Sequence, residues 1–147
     1  MQSSEKERSV GYLVKRVQQG LRRRCDAALR PTGLSMAQYA ALRALAEHPD
    51  ASAAELARLC FVTRQSLQDL LAGLRAAGLV ETAAAPPRGR ARSLRLTRRG
   101  SRQLKAADDA VFVVEAVMLQ GISLGAQRTV AEALLSCAQN LENSESA

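Results

Sequence analysis

The sequence predicts a mainly α-helical protein carrying one small β-hairpin, on three observations. Apolar residues recur at helical spacing along most of the 147 positions. Hydroxyl-bearing caps and glycine or proline breaks punctuate that periodicity. Only between Leu79 and Leu96 does the pattern change to alternation, on either side of the polar, proline-stiffened stretch Ala85-Pro86-Pro87-Arg88-Gly89.

From Ser9 to about Arg30, the residues Val10, Leu13, Val14, Val17, Leu21, Cys25 and Ala28 form one helical stripe, with Lys15, Arg16, Arg22, Arg23 and Arg24 mostly off it. Pro31-Thr32-Gly33 breaks this helix, and Ser35 can cap the next, whose buried side is Tyr39, Leu42 and Leu45. His48-Pro49-Asp50 closes it. Ser52-Ala53-Ala54-Glu55 has the Ser-x-x-Glu spacing of a capping box, so a short helix is expected from Ala53, ending near Phe61-Val62. Thr63 caps another from Arg64, in which Leu67, Leu70, Leu71 and Leu74 recur at i, i+3, i+4 and i+7 and Gly78 supplies the stop. Leu79 to Thr82 and Ser93 to Leu96 then read as a hairpin. After Thr97 helical periodicity resumes through Leu104, Ala107, Val111, Val114 and Met118 to Gly121, and Ser123 caps a last helix carrying Val130, Leu134, Leu135, Cys137 and Leu141.

Two short capped helices followed by a hairpin describe a winged helix-turn-helix core. Between Thr82 and Ala107 there is no acidic residue, yet Arg88, Arg90, Arg92, Arg95, Arg98, Arg99, Arg102 and Lys105 all fall there. Clustered charge of this kind next to a helix-turn-helix suits a duplex: one helix for the major groove, an arginine-bearing loop for the neighbouring backbone or minor groove. The net charge of +7 and pI of about 10.2 favour a polyanionic partner as well. Aromatic residues make up only 3% and tryptophan is absent, which argues against a stacking platform for single strands.

The segment Ala110 to Leu119 is apolar on more than one side, with only Glu115 charged. A helix of that kind needs covering by more than one small domain offers, so a two-fold dimer is expected. The chain is accordingly divided, as one domain over 1–147, into dimerisation helices at 10–30 and 98–143 and a DNA-binding winged helix at 35–97. Cys25, Cys60 and Cys137 are odd in number and widely spaced, so neither a disulfide framework nor a structural zinc is expected, and all three are read as core. No metal or other cofactor is expected, and no enzymatic constellation is visible: no paired acids, no phosphate-cradling loop, no nucleophile with an orienting base. No apolar run reaches the roughly 18 residues of a membrane span, and Met1 to Arg8 lacks the apolar core of a signal peptide, so a cytoplasmic protein is expected.

From about Val10 to Leu141 the chain resembles the MarR family of bacterial winged-helix regulators. The resemblance is carried by Gly33-Leu34-Ser35 with Gln38, Glu55-Leu56-Ala57, Thr63 to Leu67, Leu74 with Ala77-Gly78-Leu79-Val80, and Leu96-Thr97-x-x-Gly100. It implies a homodimer, a palindromic double-stranded DNA target, a role that is more often repression, and frequent release by a small phenolic or other aromatic effector. The family's wing usually reads Asp-x-Arg; here Arg88-Gly89-Arg90 stands there, so only Arg90 carries over directly as a minor-groove arginine. Where a basic residue is common in the recognition helix, this chain has Asp69.

The residues expected at the DNA are Ser35, Ser52 and Thr63 at helix N-termini, Arg64, Gln65, Ser66, Gln68 and Asp69 on the recognition helix, and Arg88, Arg90 and Arg92 in the wing. Cys25, which follows three arginines, and Tyr39 are the candidates for an effector or oxidant. Cys25 is also on the apolar stripe, where a small buried thiol is inert. Two alternative readings stand beside the regulator: a winged-helix dimer serving as a protein-interaction module, and a cysteine-based redox sensor of the same family.

Overall fold

The computed structural model describes residues 5–83 and 94–146. A short 3-10 turn, Glu5–Arg8, precedes helix α1 (Val10–Leu29). Helices α2 (Met36–Glu47), α3 (Ala53–Leu59) and α4 (Arg64–Ala76) follow, then strands β1 (Val80–Thr82) and β2 (Leu94–Leu96), and helices α5 (Arg98–Met118) and α6 (Leu124–Glu145). The chain forms two compact units, one ending at Val114 and one starting at Glu115, and α5 runs across the boundary. The predicted mainly α fold with a small β-wing is what the chain adopts.

In the first unit, α2 packs against α1, α3, α4 and β2. Leu29, Leu42, Leu67 and Leu74 are fully buried at its centre, joined by Leu34, Leu45, Leu56, Leu79, Val80, Leu104 and Ala107. Each such leucine contributes roughly 1.5–3 kcal/mol through burial. The stripe drawn on α4 therefore faces inward, with Leu71 packed against the core from its edge.

Local chemistry sets each helix boundary. Ser35 and Gln38 form a complete capping box: Ser35 Oγ accepts from the Gln38 amide at 3.1 Å and Gln38 Oε1 accepts from the Ser35 amide at 2.9 Å. At α3 the expectation needs correcting. Ser52 Oγ accepts from the Glu55 amide at 3.2 Å, but there is no return bond from the Glu55 carboxylate, which stays exposed to water. Both helices of the helix-turn-helix end in the same paired-bond turn. After α4, the amide of Gly78 donates to Arg75 and that of Leu79 to Leu74, with Gly78 at φ 75°. After α3, the amide of Phe61 donates to Arg58 and that of Val62 to Ala57, with Phe61 at φ 56°. The left-handed conformation costs an L-residue roughly 1–2 kcal/mol.

β1 and β2 pair antiparallel with Val80 opposite Leu96, Glu81 opposite Arg95 and Thr82 opposite Leu94. The tip between them, including Arg88, Arg90 and Arg92, lies outside the described residues. Thr97 follows β2 and closes the wing onto its neighbours. Its hydroxyl donates to the Gly78 carbonyl at 2.7 Å and accepts from the Gly100 amide at 3.0 Å, while its own amide donates to Leu79 at 3.0 Å. Gly100 is buried against the Leu79 backbone, and a Cβ there would collide with the Leu79 carbonyl.

In the second unit, Gly121 turns the chain at φ 79° and Ser123 Oγ accepts from the Ala126 amide at 3.2 Å to start α6. No residue of α6 is buried. Leu124, Val130, Leu134, Leu135 and Leu141 are all exposed. Cys137 is exposed too, which corrects its reading as a core thiol: the stripe it belongs to is itself exposed. In proteins most helical stability comes from packing of an apolar face rather than from propensity.

Gly100→Ala is expected to cost about 3 kcal/mol of stability, because the obstructing atoms are backbone that cannot rotate away. Urea unfolding of the variant beside wild type checks this, and a loss below about 1 kcal/mol would contradict the close approach.

Candidate nucleic-acid interface

Thr63 Oγ1 accepts from the Ser66 amide at 3.1 Å and donates to Ser66 Oγ at 3.0 Å, so the start of α4 is capped by its own side chains. The core stripe holds α4 by Leu67 and Leu74, which leaves Arg64, Gln65, Ser66, Gln68 and Asp69 exposed. Gln65 Nε2 donates to Asp69 Oδ1 at 3.3 Å, one turn along the same face. That bond orients the Gln65 amide and leaves Gln65 Oε1 and Asp69 Oδ2 facing water as acceptors. The free amides and positive dipole end at the start of α4 favour an anion such as a phosphate.

Two contacts brace the base of the wing. Arg95 Nε pairs with Glu81 Oε1 at 3.1 Å across the strands, and the Arg75 guanidinium reaches the Thr82 hydroxyl from α4. Both members of the Arg95–Glu81 pair are about half exposed, and such pairs contribute roughly 0.2–1 kcal/mol, so this one sets strand register more than stability. Arg95 is thus engaged at the hairpin's base.

Of the predicted DNA-facing residues, the structure brings Thr63, Arg64, Gln65, Ser66, Gln68 and Asp69 onto one exposed helix segment, with Ser35 and Ser52 capping their own helices. Arg88, Arg90 and Arg92 lie outside the described residues. Cys25 is buried at 3% exposure, which denies a bulk oxidant access in this conformation. Burial also raises the Cys60 thiol pKa.

Tyr39 belongs to a cluster that reading the sequence did not find. Its ring is buried and its hydroxyl donates to Asp108 Oδ1 at 2.7 Å while accepting from Arg43 Nη1 at 3.3 Å. Arg43 also pairs with Asp108 and with Glu47, the latter at 2.9 Å. Arg43 and Asp108 are 65 positions apart, and each taken alone is an ordinary surface charge, so only the phenol of Tyr39 gave any signal. The cluster ties α2 to α5. Nearby, Gln103 Nε2 donates to the Thr32 carbonyl at 3.1 Å. Burial first, and then the Asp108 carboxylate, push the Tyr39 pKa up to about 12 from 10.0.

A capped helix-turn-helix with a β-wing, its second helix exposed along a polar face, is the architecture of a DNA-reading regulator. A model of the MarR family matches residues 32–91. The HTH-type transcriptional repressor Rv2887 of Mycobacterium tuberculosis is 38% identical over 119 residues, covering 81% of this chain and 86% of that protein. A crystal structure of Rv2887 in complex with DNA is similar with a TM-score of 0.70 at 35% identity, covering 88% of this chain and 97% of that one. The complex of Rv2887 with salicylic acid gives a TM-score of 0.71 at 36% identity, covering 88% and 96%. The chain belongs to the MarR family, a family of regulators rather than enzymes. Among the described residues no helix is long and apolar enough to cross a membrane, and no group of three or more His, Cys, Asp and Glu side chains is placed to hold a metal ion.

The raised Tyr39 pKa has a sign that can be checked. The folded state holds the phenolic proton more tightly than the unfolded chain, so this stability is fully present below pH 10 and is lost as pH rises toward 12. Wild type is expected to exceed Tyr39→Phe by about 1 kcal/mol near neutrality, with the margin shrinking between those limits. Unfolding titrations of both proteins across that range measure it; a margin that does not change with pH contradicts the assignment.

Proposed function

We propose that this chain is a cytoplasmic, homodimeric transcriptional repressor that reads palindromic double-stranded DNA and is released from it by a small aromatic ligand. The observation that carries the reading is the polar face of α4: five exposed side chains, Arg64, Gln65, Ser66, Gln68 and Asp69, on a helix whose other face is locked into the core. The wing arginines Arg88, Arg90 and Arg92 supply phosphate and minor-groove contacts, with the helix starts at Ser35, Ser52 and Thr63 adding amide donors. Gln68 and the Gln65–Asp69 pair read base edges: a glutamine amide suits adenine, and the acceptors of the pair suit the amino groups of cytosine or adenine.

The division of labour follows exposure. Residues 35–97 form the reading part. Residues 10–30 and 98–143 pair two protomers, supported by the exposed Val10, Leu13, Val14 and Val17 of α1, Phe112 and Val113 of α5, and the apolar stripe of α6. Pairing would set two α4 helices roughly 34 Å apart, one turn of duplex. The crystallised complexes of Rv2887 with salicylic acid and with p-aminosalicylic acid motivate an aromatic acid as the ligand class.

Anisotropy titrations against the duplex flanking its own gene test the reading. Binding is expected to weaken by about a thousandfold or more between roughly 50 and 200 mM salt. Arg90→Ala should weaken all sequences alike and reduce the salt slope by about 1, whereas Gln68→Ala should relax choice at one base position by about 1–3 kcal/mol. Weak, sequence-blind binding by wild type would sink the repressor reading.

A further inference from the structure

Phe61 sits at the corner between α3 and α4, with its side chain 93% exposed and its backbone at φ 56°. Among the described residues it is the only one other than glycine at positive φ; Gly33, Gly78 and Gly121 occupy the others. Gly78 closes α4 with the same two backbone bonds that Phe61 and Val62 make after α3, so the turn itself is satisfied by glycine. A large ring at this place gains nothing by burial within the chain and strains the backbone that carries it. Phe61 lies two residues before Thr63, so its Cα is within about 7.6 Å of the α4 cap. An exposed ring thus stands next in the chain to the exposed start of α4, where Arg64, Gln65, Ser66 and Gln68 are exposed as well.

We propose that Phe61 is a DNA-contacting, affinity-determining residue whose ring packs against the apolar part of a nucleotide at the edge of the groove entered by α4. That apolar part is the face of a deoxyribose or the methyl group of a thymine, the two uncharged apolar surfaces a duplex offers there. This rests on the DNA-reading function proposed above and adds to it an apolar contact beside the arginines and amides. It also accounts for the combination of strain and exposure: the ring is covered when the duplex is bound.

The test compares full-length wild type with Phe61→Gly, Phe61→Asn and Phe61→Leu, by anisotropy on the duplex wild type binds and by thermal unfolding. Glycine and asparagine both tolerate positive φ, so these variants are expected to keep or raise Tm. They are nevertheless expected to bind roughly tenfold more weakly, as befits loss of part of one aromatic contact. The salt slope should not change, since no phosphate contact is removed. Phe61→Leu should recover part of the loss. A probe with uracil for thymine separates the two sources: if the advantage of wild type over Phe61→Gly vanishes, the methyl is the contact, and if it persists, the sugar is. Unchanged affinity in the glycine and asparagine variants overturns the proposal. So does a fall in Tm or in oligomeric mass, because the ring would then be covered by this chain or a second copy. Failure of wild type to bind any duplex instead overturns the DNA-reading function and this contact together.

Discussion

One threonine joins the end of the second helix of the helix-turn-helix, the wing and the start of α5. Thr97 donates to Gly78 at the end of α4 and accepts from Gly100 at the start of α5, and its amide holds Leu79 at the entrance to the wing. A hydroxyl has one proton and two lone pairs, so these bonds use its donor and leave one acceptor site. The junction closes only because Gly100 lets the Leu79 backbone approach where a side chain would collide. The end of α4 is therefore tied to the first turn of α5, in addition to its hold on the core through Leu67 and Leu74.

A second attachment lies further along α5. The cluster of Tyr39, Arg43 and Asp108 fastens α2 to α5 about three turns beyond Thr97, with Ala107 buried against the core beside it. The winged helix and this part of α5 are thus joined at two points separated along one helix. Arg43 and Asp108 keep part of their side chains in water, so this fastening is polar and partly solvated, unlike the leucine core.

The helices, their caps at Ser35, Thr63 and Ser123, and the inward stripe of α4 were legible in the sequence because each is a local pattern of a few residues. The position of Gly100 was legible through family resemblance, though the collision behind it is not: it depends on Leu79, 21 positions away. The same limit hid Arg43 and Asp108, which meet only when α2 and α5 are side by side. It also hid the engagement of Arg95 by Glu81, since Glu81 lies one residue outside the acid-free stretch that drew attention to the arginines. Ser52 shows the opposite error: the right spacing for a reciprocal capping box, but a carboxylate that stays with water. Cys137 follows an apolar stripe correctly and is still exposed, because periodicity says which face is apolar and not what covers it.

Exposed apolar side chains in both units are the reason to expect a second copy. Val10 and Val17 on α1, Phe112 and Val113 on α5, and Leu124, Leu135 and Leu141 on α6 are each between about half and three quarters exposed in one chain. Scattered apolar residues need no explanation, but a run of them along a helix, as on each of these three, is the kind of surface that associates. Sedimentation equilibrium of the full-length chain at micromolar concentration tests this most directly. Two protomers are predicted, twice the 15.8 kDa of one chain; a mass of one chain that persists as concentration rises would contradict the account.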